Sequence, residues 1–390
     1  MRRVYLDHAA TTPVHPEVAE AVKEAMLVYY GNPSSIHCFG REARCAVDEA
    51  REKVARLIGA EPAEIIFTSG ATESDNLAIK GMAYASRDRG GHIITSSIEH
   101  HAILHACEQL EKEGFRVTYL PVDGDGLVDP ADVEQAIGED TILISIMLAN
   151  NEVGTIQPIE EIGTIARQRG IPFHTDAVQA VGQIPVDVNR LQVDLLSLSG
   201  HKMYGPKGIG ALYLRKRTRI QPLFQGGSHE RRLRPGTENV PGIVGLGKAA
   251  ELAAAELAER GRRYALLRDR LRDKLWSALN DIKLNGHPTR RLPNNLNLSV
   301  LYVEGESMLL NLDLAGIAAS SGSACTSGSL EPSHVLTAMG IPHEVSHGSL
   351  RFTVGRDTTE EDIDYVSEIL PGIVERLRDM SPLYPGKRRS

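Results

Sequence analysis

Short apolar runs alternate with amphipathic stretches along most of this chain. Ile65-Ile66-Phe67-Thr68, Ile93-Ile94-Thr95, Val117-Thr118-Tyr119-Leu120, Ile142-Leu143-Ile144-Ser145-Ile146, Pro172-Phe173-His174-Thr175 and Leu195-Leu196-Ser197-Leu198 are short and flanked by polar residues. They read as buried strands. Between them, stretches such as 16–29 and 158–169 carry apolar residues at helical spacing. The alternation predicts an α/β fold, a largely parallel sheet with helices on both faces. The charged segment 247–279 reads as one or two helices leaving that domain. Beyond it, Asn294-Asn295-Leu296-Asn297-Leu298-Ser299-Val300 opens a smaller α/β unit. The expected division is a large domain at residues 15–255 and a small one made of residues 1–14 and 256–390. No repeat or low-complexity tract interrupts the pattern, so the connection is expected to be helical.

Composition narrows the function classes. The 390 residues can bury a large core, and the formal charge of -8 is spread along the chain. Nucleic acid and anionic membrane are therefore poor candidates as direct partners. No apolar run reaches the length of a membrane span. The N-terminus runs from Met1-Arg2-Arg3 straight into an apparent strand, without the apolar core of a secretion signal. A cytoplasmic location is expected. The four cysteines, Cys38, Cys45, Cys107 and Cys325, show no spacing that suggests a metal site or a disulfide framework. They are expected to be thiols.

The candidate chemistry sits where predicted strands end. Leu195 to Leu198 runs into Ser199-Gly200-His201-Lys202, and Pro172 to Thr175 ends on Asp176. Ligands of open α/β sheets bind beyond the carboxyl ends of strands. A lysine and an aspartate there suit pyridoxal phosphate (PLP), as Schiff-base amine and as partner of the pyridinium nitrogen. A solvated turn lysine is the ordinary alternative. Ser69-Gly70-Ala71-Thr72-Glu73-Ser74 follows another strand and opens a helix. It suits a phosphate on helix N-terminal amides, or a simple N-cap. His100 can stack on a flat ring and move protons. Its neighbours His101 and His105 lie one helical turn apart and read as surface residues, since no acidic third metal ligand is near. Asn150-Asn151 can orient a ring or simply make a turn. Arg351, inside the run Leu350 to Thr353, can capture a carboxylate or form a structural ion pair. Asp123-Gly124-Asp125-Gly126 lacks the remaining ligands of a calcium loop and reads as a turn. Small residues surround Cys325 from Ser320 to Ser329, which predicts an exposed, mobile loop. A reactive thiol and an inert one both fit that setting.

Taken together, these residues make the chain resemble the fold-type-I, class-V PLP enzymes, and among them the cysteine desulfurases of the NifS/IscS type. The likeness spans nearly the whole chain. It rests on Tyr5-Leu6-Asp7-His8-Ala9-Ala10-Thr11-Thr12, Gly31-Asn32-Pro33-Ser34-Ser35-Ile36-His37, Gly70 to Ser74, His174-Thr175-Asp176-Ala177-Val178-Gln179, Ser199 to Lys202 and Arg234-Pro235-Gly236-Thr237-Glu238-Asn239. The long segment around Cys325, through Leu330-Glu331-Pro332-Ser333-His334, is similar to the group I form.

The resemblance implies a seven-stranded-type sheet and a set of roles. Lys202 holds the cofactor and later acts as general base. Asp176 faces the ring nitrogen and Gln179 the phenolic oxygen, while His100 stacks on the ring. Ala71, Thr72, Ser199 and His201 hold the phosphate. Thr237 reaches the phosphate of the neighbouring subunit, which implies a homodimer. Asn151 and Arg351, with Asn32, hold the substrate carboxylate. Cys325 attacks the sulfur of L-cysteine, giving alanine and a persulfide for an acceptor, with iron–sulfur cluster assembly the expected destination. Cys38 departs from the family pattern and is given no role. Selenocysteine lyase activity, or a desulfurase serving nucleic-acid sulfur modification, is the alternative on the same scaffold.

Overall fold

The computed structural model describes residues 2–321 and 332–385; Cys325 and its immediate neighbours lie outside them. The described elements, in order, begin with β1 (Val4–Tyr5), α1 (Pro16–Val28), α2 (Cys38–Leu57), β2 (Ile65–Thr68), α3 (Ala71–Ala85), β3 (His92–Ser96) and α4 (His101–Lys112). Then come β4 (Arg116–Leu120), α5 (Pro130–Ala136), β5 (Thr141–Ser145), α6 (Ile159–Arg169), β6 (Phe173–Asp176), β7 (Leu195–Ser199) and β8 (Gly210–Leu214). The helix α7 (Val240–Ala278) leads to β9 (Ile282–Asn285), β10 (Asn295–Val300), α8 (Gly305–Leu314) and β11 (Ile317–Ala318). The chain closes with α9 (His334–Ala338), α10 (His343–Ser346), β12 (Ser349–Thr353) and α11 (Glu360–Met380).

Strands β2 to β8 form one seven-stranded sheet in the order β2-β8-β7-β6-β5-β3-β4. All neighbouring pairs are parallel except those of β8, which runs antiparallel to β2 and β7. The six apolar runs predicted as strands are all strands here. Five of them are buried on both sides, which is why they read as continuous rather than alternating, while β4, at the sheet edge, is only partly buried. In β7, Leu196 and Leu198 join a core with Val47, Val54 and Leu246, on the side of α2 and α7. Leu195 joins the opposite core with Leu77, Ile103 and Leu110, on the side of α3 and α4.

The segment expected as one or two helices is a single helix of 39 residues. Pro241 sits in its first turn, where a missing N–H costs nothing, and the Asn239 side chain accepts from Gly242 N–H at 3.1 Å. At about 1.5 Å per residue α7 is roughly 58 Å long. Ile243, Leu246 and Ala250 belong to the core beneath the large sheet. Tyr264, Leu267, Leu271 and Leu275, spaced three and four apart, belong to another, with β10, β12 and α11. There β12, β10 and β9 form an antiparallel sheet, and β1 pairs with β11.

Candidate active site

The carboxyl ends of β2, β6 and β7 converge on a cleft of about 540 Å³. Each floor residue is delivered by the way its strand stops. In β7 the pairing with β8 ends at Ser199 and Gly210, and one 3-10 turn, Gly200–Lys202, presents the lysine. Lys202 Nζ donates to the carbonyls of Ala9 and Ala10, the latter at 2.8 Å. β6 ends on Asp176, whose Oδ1 accepts from Val178 N–H at 2.9 Å. Burial raises the Asp176 pKa, and the Val178 N–H and the nearby Lys202 charge oppose that rise. Gln179 follows on the same turn and donates to Ala9 O at 3.0 Å.

The wall after β2 depends on two glycines. Gly70 has φ 154° and ψ -179°, a region that side chains other than hydrogen hardly enter. A Cβ on Gly210 would lie 2.7 Å from Leu198 O and 2.8 Å from Gly70 Cα. The close approach of β8 to the turn therefore needs glycine. It sets Ala71 and Thr72, the first residues of α3, into the cleft wall. Their amides lie in the first turn, where no helical acceptor exists. Glu73 pairs with Arg234 at 2.9 Å. Burial pushes the Glu73 pKa up, but Arg234 and Ser69 outweigh it and hold the carboxyl below its usual range.

His100 caps α4, and its Nδ1 accepts from Ala102 N–H at 3.1 Å. Burial, then the Lys202 charge, lower its pKa to about 4. The ring is thus neutral with its proton on Nε2. His201 is also lowered to about 4 by burial and Lys202, and its Nδ1 lies 3.1 Å from Thr11 Oγ1.

Ala71, Thr72, His100, Asn151, Asp176, Gln179, Ser199, His201 and Lys202 all line this one cleft. Among the other expected residues, Asn32, Thr237 and Arg351 do not line it; Asn32 closes a turn through Ser34 N–H at 2.9 Å, and Thr237 is exposed. Arg351 is buried beside Asn151, donating to Asn151 O and Asp7 Oδ1 at 2.9 Å each. His101 and His105 stack on one another, ring centroids 5.0 Å apart, outside the cleft. Asn150 is the turn residue of its pair, with Oδ1 accepting from Glu152 and Val153 N–H, so only Asn151 reaches the cleft.

Four buried polar residues were not anticipated. Asp75 lines the floor, and His174 bridges Ser145 and Ser197 at 2.8 and 3.0 Å. Glu99 accepts from Ser96 and Met147, and burial raises its pKa to about 8. Glu152, raised by burial to about 7, accepts from the hydroxyl of Ser333. The signal for Asp75 was present: Ala78, Ile79 and Met82, three, four and seven positions on, are apolar, so an acid there faces the core.

The donor set fits PLP. Gly70 leaves open space where a Cβ would stand, beside the Ala71 and Thr72 amides, whose place at the helix start suits a phosphate. Asp176 is a buried acid available to a ring nitrogen, and Lys202 is the amine within the same cleft.

Comparison with known proteins agrees with this geometry. The family model described as Aminotransferase class-V matches residues 4–366. A cysteine desulfurase IscS of Methanosarcina thermophila is 60% identical over 389 residues, covering 100% of this chain and 96% of the relative. A solved NifS-like protein superposes with a TM-score of 0.91 at 41% identity, covering 96% of this chain and 100% of the other. SspA, solved in complex with cysteine, superposes at 0.81 with 40% identity, covering 90% and 98%.

Proposed function

The chain belongs to the aminotransferase class-V family, and we infer from its cleft and its relatives that it is a PLP-dependent cysteine desulfurase. The observation that carries this reading is the meeting of Lys202, Asp176, His100 and the α3 N-terminus in one cleft. When bound, PLP supplies an electron sink for the substrate's α-carbon.

The protein's own residues do the rest. Asp176 would hold the ring nitrogen, Gln179 the phenolic oxygen and His100 one ring face. Ala71, Thr72, Ser199 and His201 would hold the phosphate. Lys202 Nζ would hold the cofactor at rest and take the substrate α-proton. Neutral His100 carries a proton on Nε2 and can hand it across the cleft. Arg351 and Asn151 take the substrate carboxylate, and Asn32, outside this cleft, is left without that role. Cys325 then attacks the substrate sulfur as a thiolate: the carbon–sulfur bond breaks, a sulfur–sulfur bond forms, and the products are alanine and an enzyme persulfide. Support comes from both sides of residues 322–331. Ser320 pairs through its backbone with Arg351, and Ser333 and His334 bond Glu152 and Glu99 O beside the cleft.

The working unit is a homodimer. Met26, Leu27, Val28, Tyr30, Ile36 and Phe39 are exposed together around the end of α1 and the start of α2, Ile36 at 91%. Apolar surface gathered in this way marks an interface, and Asn32 lies within it. A second copy there would bring Thr237 to the neighbouring phosphate. We assign residues 15–255 to a large domain and 1–14 with 256–390 to a small one, a cytoplasmic location, and transfer of sulfur to an acceptor in iron–sulfur cluster assembly. Among the described residues no helix is long and apolar enough to cross a membrane.

The test is Lys202→Ala. The variant should retain no covalently attached cofactor after borohydride treatment and produce no alanine from L-cysteine. Full turnover in that variant would remove the reading.

A further inference from the structure

Asp75 is fully buried, and the ligand-facing residues already assigned leave it without a task. It stands one helical turn after Ala71 and therefore on the same face of α3, where it lines the cleft floor with Asp176. Neither of its carboxyl oxygens makes a hydrogen bond of good geometry among the described residues, and the Ser197 hydroxyl is the one donor that acts on it. The His174 ring lies 3.7 Å from Oδ1. That ring is no counter-ion: burial lowers its pKa to about 3, and both nitrogens are engaged by Ser145 and Ser197.

A buried carboxylate short of donors is costly, whereas a neutral carboxylic acid carries its own donor. The charge count points the same way. The negative charges of Asp176 on β6 and Glu99 ahead of α4 disfavour its ionisation, adding to the larger effect of burial. The Ser197 hydroxyl on β7 opposes them but is itself bonded to His174 at 3.0 Å. Lys202 favours charge on Asp176. Two carboxylates sharing a buried site do not both ionise readily. One protonated ring nitrogen needs one carboxylate.

We propose that Asp75 is held as a neutral carboxylic acid whose proton is offered to Asp176, making it the positioning residue for the carboxylate that meets the cofactor's ring nitrogen. The proposal rests on the reading of the cleft as a PLP site. It assigns the floor two acids and a single negative charge. Asp75 keeps Asp176 oriented and leaves the second negative charge out of the pocket.

Infrared difference spectra of the apoenzyme test the protonation state without cofactor. Wild type minus Asp75→Asn at neutral pH should show the carbonyl stretch of an un-ionised carboxylic acid. Carboxylate bands in its place would overturn the proposal. Cofactor affinity tests the positioning role. Asp75→Asn retains a donor and should bind PLP within about threefold of wild type, whereas Asp75→Leu has none and should bind about tenfold or more weakly. Equal loss in both variants, or none in the leucine variant, would contradict it. Where Asp75→Leu fails to fold, the infrared band decides alone. Failure of wild type to bind PLP would instead sink the functional reading and leave the infrared result standing.

Discussion

Arg351 illustrates what a single residue can and cannot announce. Its sequence setting left carboxylate capture and a structural ion pair as alternatives. In the fold the guanidinium already pairs with Asp7 and Asn151 O, while its Nε is buried without a partner among the described residues. A substrate carboxylate would meet an arginine held in place from behind. Arg351→Ala should raise KM for L-cysteine about tenfold to a hundredfold, the worth of a hydrogen bond to a charged group, with PLP affinity little changed. Steady-state kinetics beside a PLP titration measures both, and an unchanged KM would make Arg351 structural. Lys202, Asp176 and His100 were legible because each stands at a strand end, a position that sequence pattern locates. The apolar positions after Asp75 turn it toward the core, but its place beside the charge of Asp176, and the Ser145 and Ser197 partners of His174, come from other strands and are assembled only by folding.

Among the elements, the six strands were legible from apolar runs alone, since five are buried on both faces and the edge strand β4 is partly so. β8 escaped that reading: Gly210-Ala211-Leu212-Tyr213-Leu214 starts on glycine and carries little of the β-branched signature. Yet it supplies the glycine that lets β7 and the Gly70 turn approach. Gly210→Ala sets a methyl against backbone atoms that have no rotamer to escape into. It should cost about 1–3 kcal/mol and weaken PLP binding, read by urea unfolding and cofactor titration. Gly170→Ala is the control. That glycine has φ 66° with open space around its Cβ position at the end of α6, so it should lose about 1 kcal/mol through backbone strain with unchanged cofactor affinity. Equal effects on PLP binding would remove the special role of the Gly70–Gly210 contact.

At the scale of the whole molecule, burial of acids around the cleft has a pH signature. The pKa of Glu99 is raised, so the folded state holds its proton above the pH at which the unfolded chain releases it. The stabilisation is complete below about pH 4 and lost as pH rises toward about 8. The stability difference, wild type minus Glu99→Gln, should therefore fall between those limits in the apoenzyme, as measured by chemical unfolding at several pH values; a rising difference would mean an ionised, paired Glu99. The apolar face around Ile36 gives a second expectation at this scale. Leu27→Glu with Ile36→Glu should yield monomers in sedimentation and lower PLP affinity, because Thr237 would no longer reach a neighbour's cleft. A dimer of normal affinity would place the interface elsewhere. The central claim, that this cleft moves sulfur from L-cysteine onto Cys325, is tested most directly by peptide mass spectrometry after a brief exposure to L-cysteine. Wild type should carry one added sulfur atom on the peptide containing Cys325, and Lys202→Ala none. Sulfur on Cys38, Cys45 or Cys107 instead, with Cys325→Ser still making alanine at the normal rate, would contradict the account.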